Sequence, residues 1–160
     1  KGRSAPPSVS PFDKVTSDPL EEHLLVLLLQ HPNLREQAEG LREEFLTRPE
    51  NRAVFVMWSQ CVTMEPGELG FGHELEDHLN RLQTREIPPT DHQRRVTDLR
   101  SCIRRLEERH LREMKAQEEL LLSQGTGDLS AREFEVLQRQ IMVTNERLRQ
   151  IFLEGSSQRK

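Results

Sequence analysis

The chain has no tyrosine and one tryptophan, and aromatics make up only 4% of its 160 residues. Strands draw on aromatic and β-branched side chains, whereas this sequence is rich in Leu, Glu, Arg and Gln, the strong helix formers. That balance predicts an all-α fold and argues against a β-sandwich or a doubly wound α/β enzyme. Cysteine is scarce. Cys61 and Cys102 each sit inside a helix-like apolar pattern, which predicts buried thiols in a reducing, cytoplasmic setting rather than a disulfide scaffold. No apolar run reaches the ~18–20 residues of a membrane span, so no membrane partner is expected. The chain opens on Lys1 with neither an initiator methionine nor a signal-peptide pattern, and it reads as a soluble piece of a longer protein.

Signatures of chemistry are missing as well. Six histidines and two cysteines show no CxxC, no HExxH and no pair of histidines one turn apart, so no metal residue is assigned. Glu107 and His110 have the Glu-x-x-His spacing of a di-iron bundle, but that site needs four properly placed helices and no other pair fits the local pattern. Glycines 67, 70 and 72 do not follow a strand, and no nucleophile sits in a recognisable frame, so neither catalytic nor cofactor-binding residues are assigned. The net charge of −4 is unevenly spread: +2 over residues 1–17, −8 over 18–89 and +2 over 90–160. A segment at −8 repels phosphate. The arginines between Arg94 and Arg112 are interleaved with Asp98, Glu107 and Glu108, which suits pairing along a helix as well as it suits a phosphate face. Direct nucleic-acid binding is therefore not expected.

Helix signals fill most of what remains. Residues 1–17, with Pro6, Pro7 and Pro11 among serines, read as a disordered linker from an upstream domain. Asp18, Pro19 and Glu21 form a helix start, with the glutamate placed to reach back in a capping box. The helix they open, to about Gln30, is apolar all round from Leu24 to Leu29, which predicts a core position. A short helix over 32–38 and a turn carrying Phe45 and Leu46 follow. Thr47 and Glu50 repeat the capping-box spacing before a helix to about Val62. Pro66 to Gly72 reads as a loop, and Leu75, Leu79 and Leu82 define a short amphipathic helix.

Thr90 and Gln93 then open a helix of ~34 residues whose stripe runs Val96, Leu99, Ile103, Leu106, His110, Met114, Gln117 and Leu121. Ser130 and Glu133 form another capping box, with Leu129 and Phe134 at the staple positions. The stripe that follows is Phe134, Leu137, Ile141, Thr144, Leu148 and Ile151, and Gly155 is placed as a C-cap. Two such helices joined by a short turn predict an antiparallel hairpin. The expected architecture is thus a compact helical bundle over 18–98 followed by a long helix and a C-terminal antiparallel hairpin over 99–154, with a frayed tail at 155–160.

One stretch is more specific. Asp18-Pro19-Leu20-Glu21-Glu22-His23-Leu24-Leu25-Val26-Leu27-Leu28-Leu29-Gln30-His31-Pro32-Asn33-Leu34, then Glu43-Glu44-Phe45-Leu46, then Glu50-Asn51-Arg52 before an aromatic-rich helix, resembles the C-terminal domain of bacterial DnaG-type primases. The match covers about a quarter of the chain; residues 90–154 agree in architecture. The resemblance implies a non-catalytic domain that binds the hexameric DnaB-type replicative helicase, recruits primer synthesis to the fork and modulates the helicase. The parent would be a DNA-directed RNA polymerase. It also raises single-stranded-DNA-binding protein as a further partner. The helicase's own N-terminal domain has a related bundle and hairpin and is the competing reading, and an unrelated coiled-coil adaptor is another. Apolar residues outside the narrow hairpin stripe are the candidates for partner binding: Leu120, Leu122, Phe134, Met142, Val143 and Phe152. Leu111 belongs to the same broadened surface.

Overall fold

A computed structural model describes residues 17–60, 73–125, 127 and 129–157, and every regular element among them is helical. Helix α1 (Pro19–Gln30) is followed by 3-10 segments at Pro32–Ala38 and Glu43–Phe45. Then come α2 (Pro49–Gln60), α3 (His73–Thr84), α4 (His92–Ser123) and α5 (Ala131–Ser157). The linker reading for residues 1–16, Cys61, the Pro66–Gly72 loop and the last three residues lie outside the described residues.

Helix α1 starts as its sequence dictates. The Asp18 carboxylate accepts hydrogen bonds from the Leu20 and Glu21 amides, 3.1 Å each, and Pro19 fills the first turn where its missing N–H costs nothing. Leu24, Leu25, Val26, Leu27 and Leu28 are all buried, because α2, α3, α4 and the segment at 32–38 pack around α1. At ~1.5–3 kcal/mol for each fully buried aliphatic side chain, these five anchor the core. It extends through Leu34, Phe45, Leu46, Val54, Phe55, Leu79 and Leu82 to Leu99 and Leu106 of α4.

Helix ends are closed largely by side chains from other elements. Glu21 does not reach back along α1; its carboxylate accepts from the Thr47 and Arg48 amides at the start of α2, at 2.5 and 3.2 Å. It takes the place expected of the Thr47–Glu50 box, and Glu50 lies instead 3.3 Å from the Arg48 guanidinium. Arg35 donates to the Trp58 and Ser59 carbonyls at the end of α2, at 3.1 and 2.7 Å, and lies over the Trp58 ring. Gln30 donates to the Leu82, Gln83 and Arg85 carbonyls at the end of α3. Each is a long polar side chain satisfying groups that a helix cannot satisfy itself. For α4 the cap is Asp91, accepting from the Arg94 amide at 2.7 Å, rather than Thr90. Only α5 opens on the box read from its own sequence: the Ser130 hydroxyl and then its amide donate to the Glu133 carboxylate and hold it below its usual range, and the Glu133 amide donates back to the Ser130 hydroxyl. Helix α5 also runs through Gly155 to Ser157, so the glycine does not cap it. The Ser156 and Ser157 hydroxyls donate to the Phe152 and Leu153 carbonyls.

Helix α4 packs on α1 and the two 3-10 segments along one side and on α5 along another. The stripe Val96, Leu99, Ile103 and Leu106 packs into the core with α1, and His110 lies against Phe45 with ring centroids 5.5 Å apart. It is not the seam with α5. That seam is offset around the helix and consists of Glu107, Leu111 and Glu118 meeting Arg147, Leu148, Ile151 and Thr144. Leu111, expected on a binding surface, is buried there. Arg104 lies near Gly155, Glu107 holds Arg147, and Glu118 meets Thr144, so α5 runs back along α4.

Glu118 is the weak point of this seam. It is 3% exposed and accepts from the Thr144 hydroxyl at 3.2 Å, while its Oε2 has no hydrogen-bond partner among the described residues. A buried, half-satisfied carboxylate costs more than an apolar group of the same size. Glu118→Met is therefore expected to raise the unfolding free energy by about 1–3 kcal/mol, measured by urea denaturation. Thr144 can turn its hydroxyl to a carbonyl of its own helix. A loss of stability on this substitution would contradict the account.

Candidate functional site

The surface of α4 and α5 is held in a fixed register by charge. The Arg147 guanidinium donates two hydrogen bonds to the Glu107 carboxylate, 2.5 and 2.8 Å, a fork-to-fork pair that raises the arginine's already high pKa. On this frame the structure leaves Leu120, Leu122, Met142, Val143 and Phe152 exposed, with Met142 at 72% and Val143 at 66%. Phe134 is half-buried. Leu121, Leu129, Val136 and Leu153 are exposed too and were not among the candidates. The sequence pattern places Leu121 in the helix seam and Leu129 in a staple.

These side chains do not form one patch. At ~100° per residue, Met142 and Leu153 point nearly the same way on α5, with Phe152 to one side of them. Val136 and Val143 share a second direction. It faces a groove of about 890 Å3, walled also by Phe45, Ile103 and Leu111. The groove's rim mixes arginines with glutamates, Arg100 and Arg104 beside Glu44 and Glu154, so it is no single-sign phosphate face. Arg112 of α4, paired also with Glu108, lies over the Phe152 ring with its guanidinium carbon 5.8 Å from the centroid, a cation–π contact across the two helices. Leu120, Leu121 and Leu122 lie in the last turn of α4, and Leu129 just before α5.

A second constellation lies inside the fold. Glu21, 0% exposed, accepts from the Thr47 and Arg48 amides, from Asn51 Nδ2 at 2.9 Å and from Arg109 Nη2 at 2.5 Å. Arg109 Nη1 donates to Asp18 at 2.7 Å. Asn51 Oδ1 accepts from His78 Nε2 at 2.7 Å, and His78 Nδ1 accepts from Arg81 at 3.2 Å. Buried carboxylates and histidines are also the tools of catalysis. Here the Glu21 carboxylate is saturated and sealed from solvent, so its role is structural: it ties α1, α2 and α4 together, and through Asn51 it reaches α3.

His78 makes that network sensitive to pH. Burial lowers its pKa, and Arg81 lowers it further, against an opposing pull from Glu22 and Glu50. Protonating Nδ1 would set an N–H against the guanidinium. The folded pKa lies below the unfolded value of about 6.5, so the unfolded chain takes up the proton first. Stability from this site is complete above about pH 6.5 and falls as the pH drops below it. His31, whose pKa is lowered by burial and Arg95, acts in the same direction. The melting temperature should drop less between about pH 7.5 and about pH 5 in His78→Gln, whose amide can donate to Asn51 and accept from Arg81. An unchanged slope would remove His78 from the account.

One group among the described residues has the donor set of a metal site. His23, Asp98 and Cys102 present ligand atoms within 4.8 Å of one another. Cys102 is buried, and burial, reinforced by Asp98, pushes its thiol up to about 11, so as it stands it is no nucleophile. Comparison of the chain with protein-family models, with curated proteins and with solved structures finds no match.

Proposed function

We propose that the chain is a non-catalytic interaction domain of a bacterial replicative primase, and that its last two helices dock on the hexameric DnaB-type helicase while the preceding bundle modulates it. In this reading α1 to α3 and the first part of α4 form a compact bundle, and the rest of α4 with α5 forms an antiparallel hairpin that carries the contact. The observation that carries the reading is the residue order from Asp18 to Trp58. Its two most specific parts meet inside the fold, where Asn51 of the Glu-Asn-Arg run donates to Glu21 of the Leu-rich helix. The exposed apolar residues on α5 and around the turn supply the kind of surface that helix-to-helix docking uses.

The test is co-elution of the chain with a hexameric DnaB-type helicase on size-exclusion chromatography, with light scattering on the chain alone. Co-elution with a monomeric free chain supports the reading. A chain that self-associates at micromolar concentration and ignores the helicase would favour the adaptor that pairs with its own copy.

A further inference from the structure

We propose that His23, Asp98 and Cys102 form a binding site for a borderline-soft divalent cation of the Zn2+ class, which ties α1 to α4. Asp98 and Cys102 stand one helical turn apart on α4, and His23 faces them from α1. His23 Nε2 lies 2.7 Å from Asp98 Oδ2, and Cys102 Sγ lies 4.0 Å from Asp98 Oδ1. Ligand atoms around a tetrahedral zinc are separated by about 3.3–3.6 Å, from bonds of ~2.0–2.1 Å to N or O and ~2.3 Å to S. The longest separation here, 4.8 Å at most, needs to close by about 1 Å on that geometry. Cys102 is fixed in the core, but the His23 and Asp98 side chains are 36% and 50% exposed, so the two that must move are the two that can.

The donor set decides the class of ion. Imidazole and thiolate disfavour Mg2+ and Ca2+, which require oxygen ligands, and suit Zn2+ or Co2+. Three protein ligands beside a solvent-exposed carboxylate leave the fourth position to water. On binding, the imidazole and the sulfur each donate an electron pair. The thiol proton passes to solvent, the proton on His23 Nε2 moves to Nδ1, and nothing is oxidised. The bare cluster is already an ordinary arrangement, a surface His–Asp pair over a core cysteine, and the experiment separates the two. The site stands apart from the hairpin surface and does not depend on the helicase reading.

The test uses the full, reduced, metal-free chain carrying Cys61→Ser, so that Cys102 is its one thiol. Cobalt titration should produce a thiolate-to-metal charge-transfer band in the near ultraviolet at one ion per chain, reversed by Zn2+. The band should vanish in Cys102→Ser. Cobalt affinity should fall at least about tenfold in His23→Ala, a loss that even outer-shell partners cause; His23 is partly exposed, so that variant keeps its fold without metal. Zn2+ should raise the melting temperature of the parent and not of His23→Ala. No band, a band that survives Cys102→Ser, or unchanged affinity in His23→Ala would each overturn the proposal.

Discussion

Glu21→Ala is expected to lower the unfolding free energy by about 3–5 kcal/mol, the cost of breaking a buried ion pair by removing one partner. Against a typical total of about 5–15 kcal/mol, that is a large share of the fold's stability. Deleting the carboxylate leaves the Thr47 and Arg48 amides and the Asn51 side-chain amide without their acceptor. Each unsatisfied donor costs on the order of 1–3 kcal/mol where water cannot replace the lost partner. Two carboxylates, Asp18 and Glu21, share the single guanidinium of Arg109. The surplus negative charge is tolerable because both sit at helix N-termini, Asp18 at α1 and Glu21 at α2, where the backbone dipole favours an anion.

Arg109→Met should also destabilise, by leaving that charge uncompensated. In the Glu21→Ala background its further cost should be smaller, a coupling of about 0.5–3 kcal/mol in a double-mutant cycle. Glu21→Gln should fall between wild type and Glu21→Ala, because its carbonyl oxygen still accepts while its amide faces other donors. Guanidinium denaturation followed by circular dichroism measures all four. A Glu21→Ala cost under about 1 kcal/mol would mean that water enters and satisfies the freed groups, and that the network is peripheral to stability.

That network also marks the limit of reading this fold from its sequence. Helix positions were legible because the apolar patterns of α1, α3 and α5 are local: Leu24 to Leu28, Leu79 with Leu82, and Thr144, Leu148 and Ile151 are buried, while Leu75 and, earlier in the α5 stripe, Phe134, Leu137 and Ile141 are half-buried. Helix closure was not, since the capping-box rule looks three residues along the chain, whereas Glu21 caps α2 across 26 residues and Gln30 closes α3 across more than 50. The seam of α4 failed for a related reason. A helix packed on two sides carries two stripes, and the stronger one, Val96 to Leu106, belongs to the core around α1. The second contains Glu107 and Glu118, whose charge hides it from any apolar pattern, since each becomes buriable only by pairing with α5. His23 and Asp98 are 75 residues apart in sequence, so no spacing rule joins them.

The hairpin candidates were legible as a set of apolar residues but not as faces, and the split between faces gives the second large effect. On the proposed docking to a helicase, Met142→Asp with Phe152→Asp is expected to weaken that binding at least about thirtyfold, the loss of a hot spot worth ~2 kcal/mol or more. Val136→Asp with Val143→Asp, on the groove side of α5, should leave affinity within about threefold, the size of a non-hot-spot contact. Two features favour the outer flank. Met142, Phe152 and Leu153 are all exposed there, and Phe152 is an aromatic beside an arginine, side-chain types enriched in hot spots. The valines instead face a groove whose far wall is the chain's own 37–45 segment, which restricts access for a partner helix. All four positions are solvent-facing, so melting temperatures should stay near wild type and a change in affinity reports on contact. Calorimetric titration against the hexamer measures it. The reverse outcome would move the contact into the groove between α5 and the 37–45 segment; full affinity in both double variants would remove both exposed apolar faces of α5 from the interface.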